Sequence, residues 1–421
     1  MHRQQIIAAC GLVVMIFLAW LMSSQRRRFP WRTVFAGVAL QVAFALLILG
    51  TAAGRLVFAE TGRCFAGLLS FVDAGSAFVF GPKYTEIYFA FRVLPTIIFF
   101  SSLMSILYHC GVMQAVVRVL GRIMQTTLGT SGAESLAAAA NIFVGQTEAP
   151  LVVLPYLRGM TRSELMAVMV GGFSTIAGGV MAAYVGMGVS AGHLLTASVI
   201  SAPAGLVIAK VMQPETESPE TLGRVTHSPP RQTTSVMEAA TMGASQGLQL
   251  ALNVAAMIIA FLSLIALVDF LLAQGSVRLQ EMLQVQSPVA WKLSTVFGIA
   301  FAPVAWLMGI EWRECGACGQ LLGLKIVLNE FLAYEMMADW KRSASEVSPL
   351  SVRSEAIMTY ALCGFSNFAS VGVQVGGIGG LVPERRADVA RLGLRAMLGG
   401  TLACCMTACI AGIIIGDGRT P

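Results

Sequence analysis

Charge is the scarcest thing in this sequence: Asp, Glu, Lys and Arg make up 12% of 421 residues, while 56% are hydrophobic. An ordinary soluble domain carries about a quarter charged residues, so that class is excluded and the chain reads as a polytopic membrane protein. Apolar stretches of about eighteen residues or more recur along its length, each able to cross a hydrocarbon core of about 30 Å as a helix. No separate soluble domain is visible. The chain also lacks a HExxH zinc motif and a paired-aspartate metal motif. Its four histidines, His2, His109, His193 and His227, lie at a terminus, at span ends or in a loop and form no cluster. Of nine cysteines, Cys404, Cys405 and Cys409 sit inside an apolar run and act as small core residues. Cys315 and Cys318 have knuckle spacing, but no second pair or nearby histidine completes a metal site. The net charge of +6 is spread between membrane segments. It therefore reads as an orientation signal and not as an acidic or nucleic acid partner.

What is there is a series of spans. The first covers about 5–22 without a small-residue cleavage site, so it is an uncleaved crossing. It is followed by RRRFPWR, which places that loop in the cytoplasm and the N-terminus outside. Further crossings are expected at about 33–50, 89–109, 163–186, 191–212, 248–273, 352–376 and 392–416, which leaves both termini outside a plasma membrane (the inner membrane of a Gram-negative cell). Residues 52–80 carry Arg55, Glu60, Arg63 and Asp73 and fit an interfacial helix and loop better than a crossing. A second surface helix is expected around Arg118 and Arg122. The Pro-, Thr-, Ser- and Glu-rich stretch after residue 212 is the only sizeable linker.

The stretch NIFVGQTEAP, residues 141–150, breaks an apolar run with Gly145, Gln146, Thr147, Glu148 and Pro150. Arg118 and Arg122 before it and Arg158 and Arg162 after it all ask to be cytoplasmic. A re-entrant hairpin over 131–160 meets both demands, with its turn facing protein or a water-filled cavity. Residues 288–340 pose the same problem: two apolar runs flank EWRECGACGQ, and the second holds Asn329 and Glu330 in VLNEFLAY. A second re-entrant element, entered from the outside, is expected there.

SELMAVMVGGFSTIAG (163–178) matches SEAIMTYALCGFSNFAS (354–370) in SE, GFS and a following Ala. With three crossings between the two starts, the copies run in opposite senses. This is the inverted-topology repeat of many secondary transporters, whose site lies at the midplane among broken helices. The expected organisation is a scaffold of three spans with interfacial helices (1–130), a first repeat (131–212), a loop and scaffold span (213–275) and a second repeat (288–416).

A carboxylate at midplane depth costs about 2.5–3.5 kcal/mol on insertion scales, so Glu148 and Glu330 are expected to face a cavity and serve a function. With Gln146, Thr147, Asn329, Asn367 and Ser370 they suit a polar ligand rich in hydroxyl and amide groups, such as a sugar or a nucleoside. Phe365 could stack on a flat ring or simply pack. Asn141, one turn before Gly145, could join the Thr175 hydroxyl and the carbonyls of Val144 and Ile176 in holding a hard cation such as sodium. A helix-to-helix hydrogen bond explains Asn141 equally well.

These words resemble the concentrative nucleoside transporters. The likeness runs through NIFVGQTEAPLVVLPYL, SELMAVMVGGFSTIAGGVMAAY, HLLTASVISAPA, VLNEFLAY and YALCGFSNFASVGVQVGGIGGL, in order, over about residues 75–416. It implies an all-α fold of eight transmembrane helices plus two oppositely oriented re-entrant hairpins, assembled as a homotrimer. It also implies nucleoside uptake coupled to sodium or protons by alternating access, with no catalysis and no cofactor beyond the coupling ion. Gln146, Thr147 and Glu148 would hold the nucleobase, with Val180 lining its pocket and Phe365 packed against the base. Glu330, Asn367 and Ser370 would hold the ribose. Asn141, Val144, Thr175 and Ile176 would hold sodium. A serine can stand at the position of Thr175 in sodium-coupled relatives, but threonine keeps the hydroxyl. Proton-coupled relatives can lack the amide of Asn141 and carry serine for Thr147, so the residues here favour sodium. Proton coupling through Glu148 remains the alternative, an intramembrane enzyme pairing Glu148 with Glu330 is a remote one, and a passive channel is the third option.

Overall fold

Residues 2–84, 89–222, 233–283, 290–342 and 348–415 are described by a computed structural model, and their regular structure is all helical. Part of the expected linker, 223–232, lies outside them. The first three helices are α1 (His2–Leu21), α2 (Trp31–Ala45, continued by a π-helical turn to Gly50) and α3 (Ala52–Phe80). Next come α4 (Leu94–His109) and α5 (Val112–Leu128), which turns Met113, Val117, Gly121 and Met124 inward and Arg118 and Arg122 outward. The first hairpin comprises α6 (Gly132–Ala140), the loop with Gln146 and Thr147, and the short helices α7 (Ala149–Val152) and α8 (Leu154–Leu157). A broken helix follows, α9 (Arg162–Phe173) and α10 (Gly178–Gly186), then α11 (Ala191–Met212).

The second half comprises α12 (Val236–Met282), α13 (Leu293–Leu307), α14 (Trp312–Val327), α15 (Glu330–Arg342), the broken pair α16 (Val352–Leu362) and α17 (Phe368–Leu381), and α18 (Arg386–Ile414). Its packing repeats that of the first half. Helix α5 lies on α6 as α13 lies on α14, α6 meets α9 as α14 meets α16, and α9 packs on α11 as α16 packs on α18. The halves then exchange partners, because α9 also packs on α18 and α11 on α16.

Among the described residues eight helical spans, the interrupted α9–α10 among them, are long and apolar enough to cross a membrane. Seven of them match expected crossings. The eighth is α3, a single continuous helix whose mean hydropathy of 1.4 is the lowest of the set. The expected span at 352–376 is the pair α16 and α17, interrupted around its GFS word as α9 and α10 are around theirs. The second hairpin also differs in detail from its expected form. Its break, at Leu328 and Asn329, separates α14 from α15, whereas the first apolar run of 288–340 is α13, bent by 116° against α14. An apolar helix packed across a hairpin and an arm of that hairpin have the same composition, so hydropathy does not separate them.

Burial separates core from rim. The α9–α10 span is 94% buried over its most apolar window and α11 is 89% buried, whereas the window in α12 is 0% buried. Helix α12 meets α4 along a seam of small residues: a Cβ on Gly243 would stand 2.6 Å from Ser101 O, and one on Gly247 would stand 2.7 Å from Ile98 Cα. Two glycines four residues apart let the backbones touch where no hydrophobic effect drives helices together in lipid.

Candidate functional site

The centre of the molecule is where the two broken helices meet. Each break leaves the carbonyls of one helix end and the N–H groups of the next helix start without intrahelical partners. Some are satisfied across the repeats, since Phe365 N donates to Thr175 O at 3.3 Å. The contact is close because Gly364 has no side chain: a Cβ there would stand 2.7 Å from Phe173 O. Cys404 of α18 seals the crossing, its Sγ lying 3.3 Å from Cys363 O and 3.8 Å from Ser174 O. With Cys405 and Cys409 it is a buried, free cysteine. Cys315 and Cys318 are also buried and free, and no group of three or more His, Cys, Asp or Glu suited to a metal occurs among the described residues.

Around Glu330 the structure gathers three of the expected residues. Glu330 is 4% exposed, accepts from the Tyr184 hydroxyl at 2.8 Å on Oε1, and accepts from Asn367 Nδ2 at 3.2 Å on Oε2. Asn367 caps α17 by accepting from Ser370 N at 2.9 Å, and Asn329 caps α15 by accepting from Leu332 N at 3.0 Å. An ionised carboxylate has about four acceptor positions, and the bonds from Tyr184 and Asn367 do not use them all. Val180, 2% exposed, lies one turn before Tyr184 on α10 and shares its face. Phe365 is half-buried beside the same break.

The first hairpin presents a different surface. Glu148 is exposed, and its carboxylate folds back over Gly145. Thr147 is half-buried and faces α17, where a Cβ on Gly377 would stand 3.2 Å from its Cγ2. Gln146 is 8% exposed and accepts from Gln374 Nε2 of α17 at 3.1 Å. No hydrogen bond among the described residues joins Glu148 to the Glu330 cluster.

The expected cation residues form a third group. Asn141 is 1% exposed, yet neither its Oδ1 nor its Nδ2 has a hydrogen-bond partner. It stands against Gly171, where a Cβ would come within 3.0 Å of Nδ2, and the Gly171 carbonyl accepts from Thr175 Oγ1 at 2.9 Å. Phe143 O accepts from Gly178 N at 2.9 Å, which ties the hairpin loop holding Val144 to the start of α10 next to Ile176. A buried amide left unpaired costs about 1–3 kcal/mol, so an oxygen-seeking ligand fits this position better than the packing alternative.

Three site-lining groups escaped the sequence reading. Tyr184 carried no signal, because a tyrosine in an apolar helix is ordinary. Lys325 and Gln374 did carry one, as polar residues in apolar runs. Lys325, 1% exposed, donates from Nζ to Ala361 O at 2.8 Å. It thereby satisfies the C-terminal end of α16, where a cation also suits the helix dipole.

Broken helices that meet in a buried core, with polar hairpin tips beside them, are the construction of a secondary transporter. Comparisons with known proteins agree. Residues 193–412 match the family described as Na+ dependent nucleoside transporter C-terminus, residues 10–83 the corresponding N-terminus, and 90–191 a nucleoside recognition region. An uncharacterized transporter of Haemophilus influenzae is 46% identical, with 97% of each chain covered. Sodium/nucleoside cotransporter 1 of Rattus norvegicus is 39% identical over 98% of this chain, which spans 64% of that longer protein. CNTnw, solved in an inward-facing substrate-bound state, is 41% identical with 97% of each chain covered and a TM-score of 0.89. A variant of it in an outward-facing state gives a TM-score of 0.91 at 40% identity, covering 98% of this chain and 99% of that one. The chain belongs to the concentrative nucleoside transporter family. Such homologues are transporters and not enzymes, so the acid–base reading of Glu148 and Glu330 is set aside.

Proposed function

We propose that this protein imports nucleosides by symport with sodium, through alternating access of a core built from the two repeats. The observation that carries sodium is Asn141: a buried carboxamide with both polar atoms unpartnered, set among neutral oxygens one turn from a hairpin tip. Amide and carbonyl oxygens suit a hard monovalent cation that must bind and leave. On this reading Asn141 Oδ1, Thr175 Oγ1 and the carbonyls of Val144 and Ile176 hold sodium. Gln146, Thr147 and Glu148 hold the nucleobase, with Val180 and Phe365 forming its apolar walls. Glu330 takes the ribose hydroxyls, and Asn367 and Ser370 complete that subsite. We include in the proposal that the two hairpins enter the membrane from opposite faces and that three copies assemble.

The test is uridine uptake into vesicles with sodium replaced by choline at fixed pH. Sodium coupling predicts loss of accumulation. Undiminished accumulation that follows a pH gradient would instead move the coupling to a proton on Glu148.

A further inference from the structure

The amide pair between the first hairpin and α17 carries directional information that neither residue holds alone. Gln374 is 1% exposed, and its Nε2 lies 3.0 Å from Met169 O and 3.1 Å from Gln146 Oε1. A carboxamide has a donor end and an acceptor end, and which end points where is decided by its partners. The first of these partners is beyond dispute, because a backbone carbonyl only accepts. Met169 O therefore fixes Gln374 with its NH2 group toward the pair. That same NH2 group then requires an acceptor from Gln146, so Gln146 turns its oxygen inward. Its own Nε2 is left outward, with no acceptor among the described residues. Turning Gln374 over would set its oxygen against two acceptors, and turning Gln146 over would set two NH2 groups against each other. The Gln374 Oε1, buried without a partner, shows that this end of the network has been given up to keep the other in register.

The approach depends on Gly172 in the first GFS word. A Cβ there would stand 2.8 Å from Gln374 Nε2 and 2.9 Å from Gln146 Cβ, so any larger residue would push the pair apart.

We infer that Gln374, through this relay from Met169 O, sets Gln146 to present a hydrogen-bond donor to the nucleobase, making Gln374 a positioning residue for base selectivity. The inference rests on the proposal that Gln146 meets the base. A donor in that place favours a keto oxygen or bare ring nitrogen over an amino group or ring N–H. Gln374→Glu reverses the relay: a carboxyl that gives its single proton to Met169 O, or has none, leaves only an acceptor beside Gln146, so Gln146 turns its NH2 group inward and its oxygen toward the base. Met at 374 keeps the length and removes the instruction.

The experiment measures inhibition constants for uridine, cytidine, inosine and adenosine against uptake of labelled uridine in vesicles. The chains compared are the parent, Gln374→Glu, Gln374→Met and Gln146→Met, each checked for monodisperse purification. In Gln374→Glu the keto-to-amino preference of at least one pair, uridine over cytidine or inosine over adenosine, shifts about fivefold toward the amino member, the scale of one hydrogen bond. In Gln374→Met it moves in the same direction by less. Ratios within about twofold of the parent in both Gln374 variants, with Gln146→Met altering them, would overturn the relay and leave the base contact standing. Ratios unmoved by Gln146→Met as well would overturn both. A general rise in all four constants with constant ratios marks a structural role and also refutes the relay.

Discussion

The bases of the two hairpins solve one problem with different chemistry. Both must anchor the start of a hairpin helix to the start of a broken helix, where several N–H groups need acceptors. In the first repeat the anchors are ionic. Ser131 and Glu134 form a capping box on α6, Thr161 and Glu164 form another on α9, and the Ser131 hydroxyl donates to Glu164 at 2.6 Å to join them. Lys210 of α11 closes the set, 2.7 Å from Glu134 Oε2 and 3.3 Å from Glu215. In the second repeat Glu314 of α14 accepts from Ser351 N and Oγ at 3.2 and 3.0 Å. Arg353 there donates to the carbonyls of Gly309, Gly412 and Ile415, and Arg313 lies 3.8 Å from Glu314. A lysine ammonium matches a buried carboxylate as a point charge, whereas the guanidinium fork reaches three neutral carbonyls at once. The first base therefore centres on a buried ion pair, whereas the partner of Glu314 in the second is a largely exposed arginine.

The sharpest way to break this comparison is Lys210→Met. It leaves Glu134 buried without its counter-charge, which costs about 3–5 kcal/mol. Thermal unfolding of the purified protein should show a large drop, and Lys210→Met with Glu134→Gln should recover much of it. A loss below about 1 kcal/mol, or no recovery, would mean the pair is not the anchor.

The next contrast lies between the two carboxylates. Glu330→Ala removes the acceptor held by Tyr184 and Asn367, and each hydrogen bond to a charged group is worth about 1.5–3 kcal/mol. Riboside uptake should fall about a hundredfold, with a 2′,3′-dideoxynucleoside affected far less. Equal losses would remove Glu330 from the ribose. The smallest expected change is from Asn141→Ser, which shortens one oxygen ligand. It should raise the sodium concentration for half-maximal uptake about tenfold, a cost of about 1.4 kcal/mol, while base selectivity holds. An unchanged activation curve would return Asn141 to packing.

Much of this was legible in the sequence because polar residues stand out in apolar runs. The tip with Gln146, Thr147 and Glu148, the break around Asn329 and Glu330, and the paired GFS words all declared themselves in that way. Pairings between distant residues did not. Glu134 and Lys210 were both visible as charges within apolar segments, but nothing along the chain says that they meet. Tyr184 became a site residue only when α10 brought it to Glu330. The role of α13 stayed hidden because an apolar helix looks the same whether it crosses, re-enters or lies alongside.

The single backbone hydrogen bond from Phe365 to Thr175 has a thermodynamic consequence. On the proposed assignment it joins the residue that meets the base to the residue that meets the ion, with no intervening side chain. If occupying one position steadies that bond, the two ligands share a coupling free energy. Whatever factor sodium adds to nucleoside affinity, nucleoside must then add to sodium affinity.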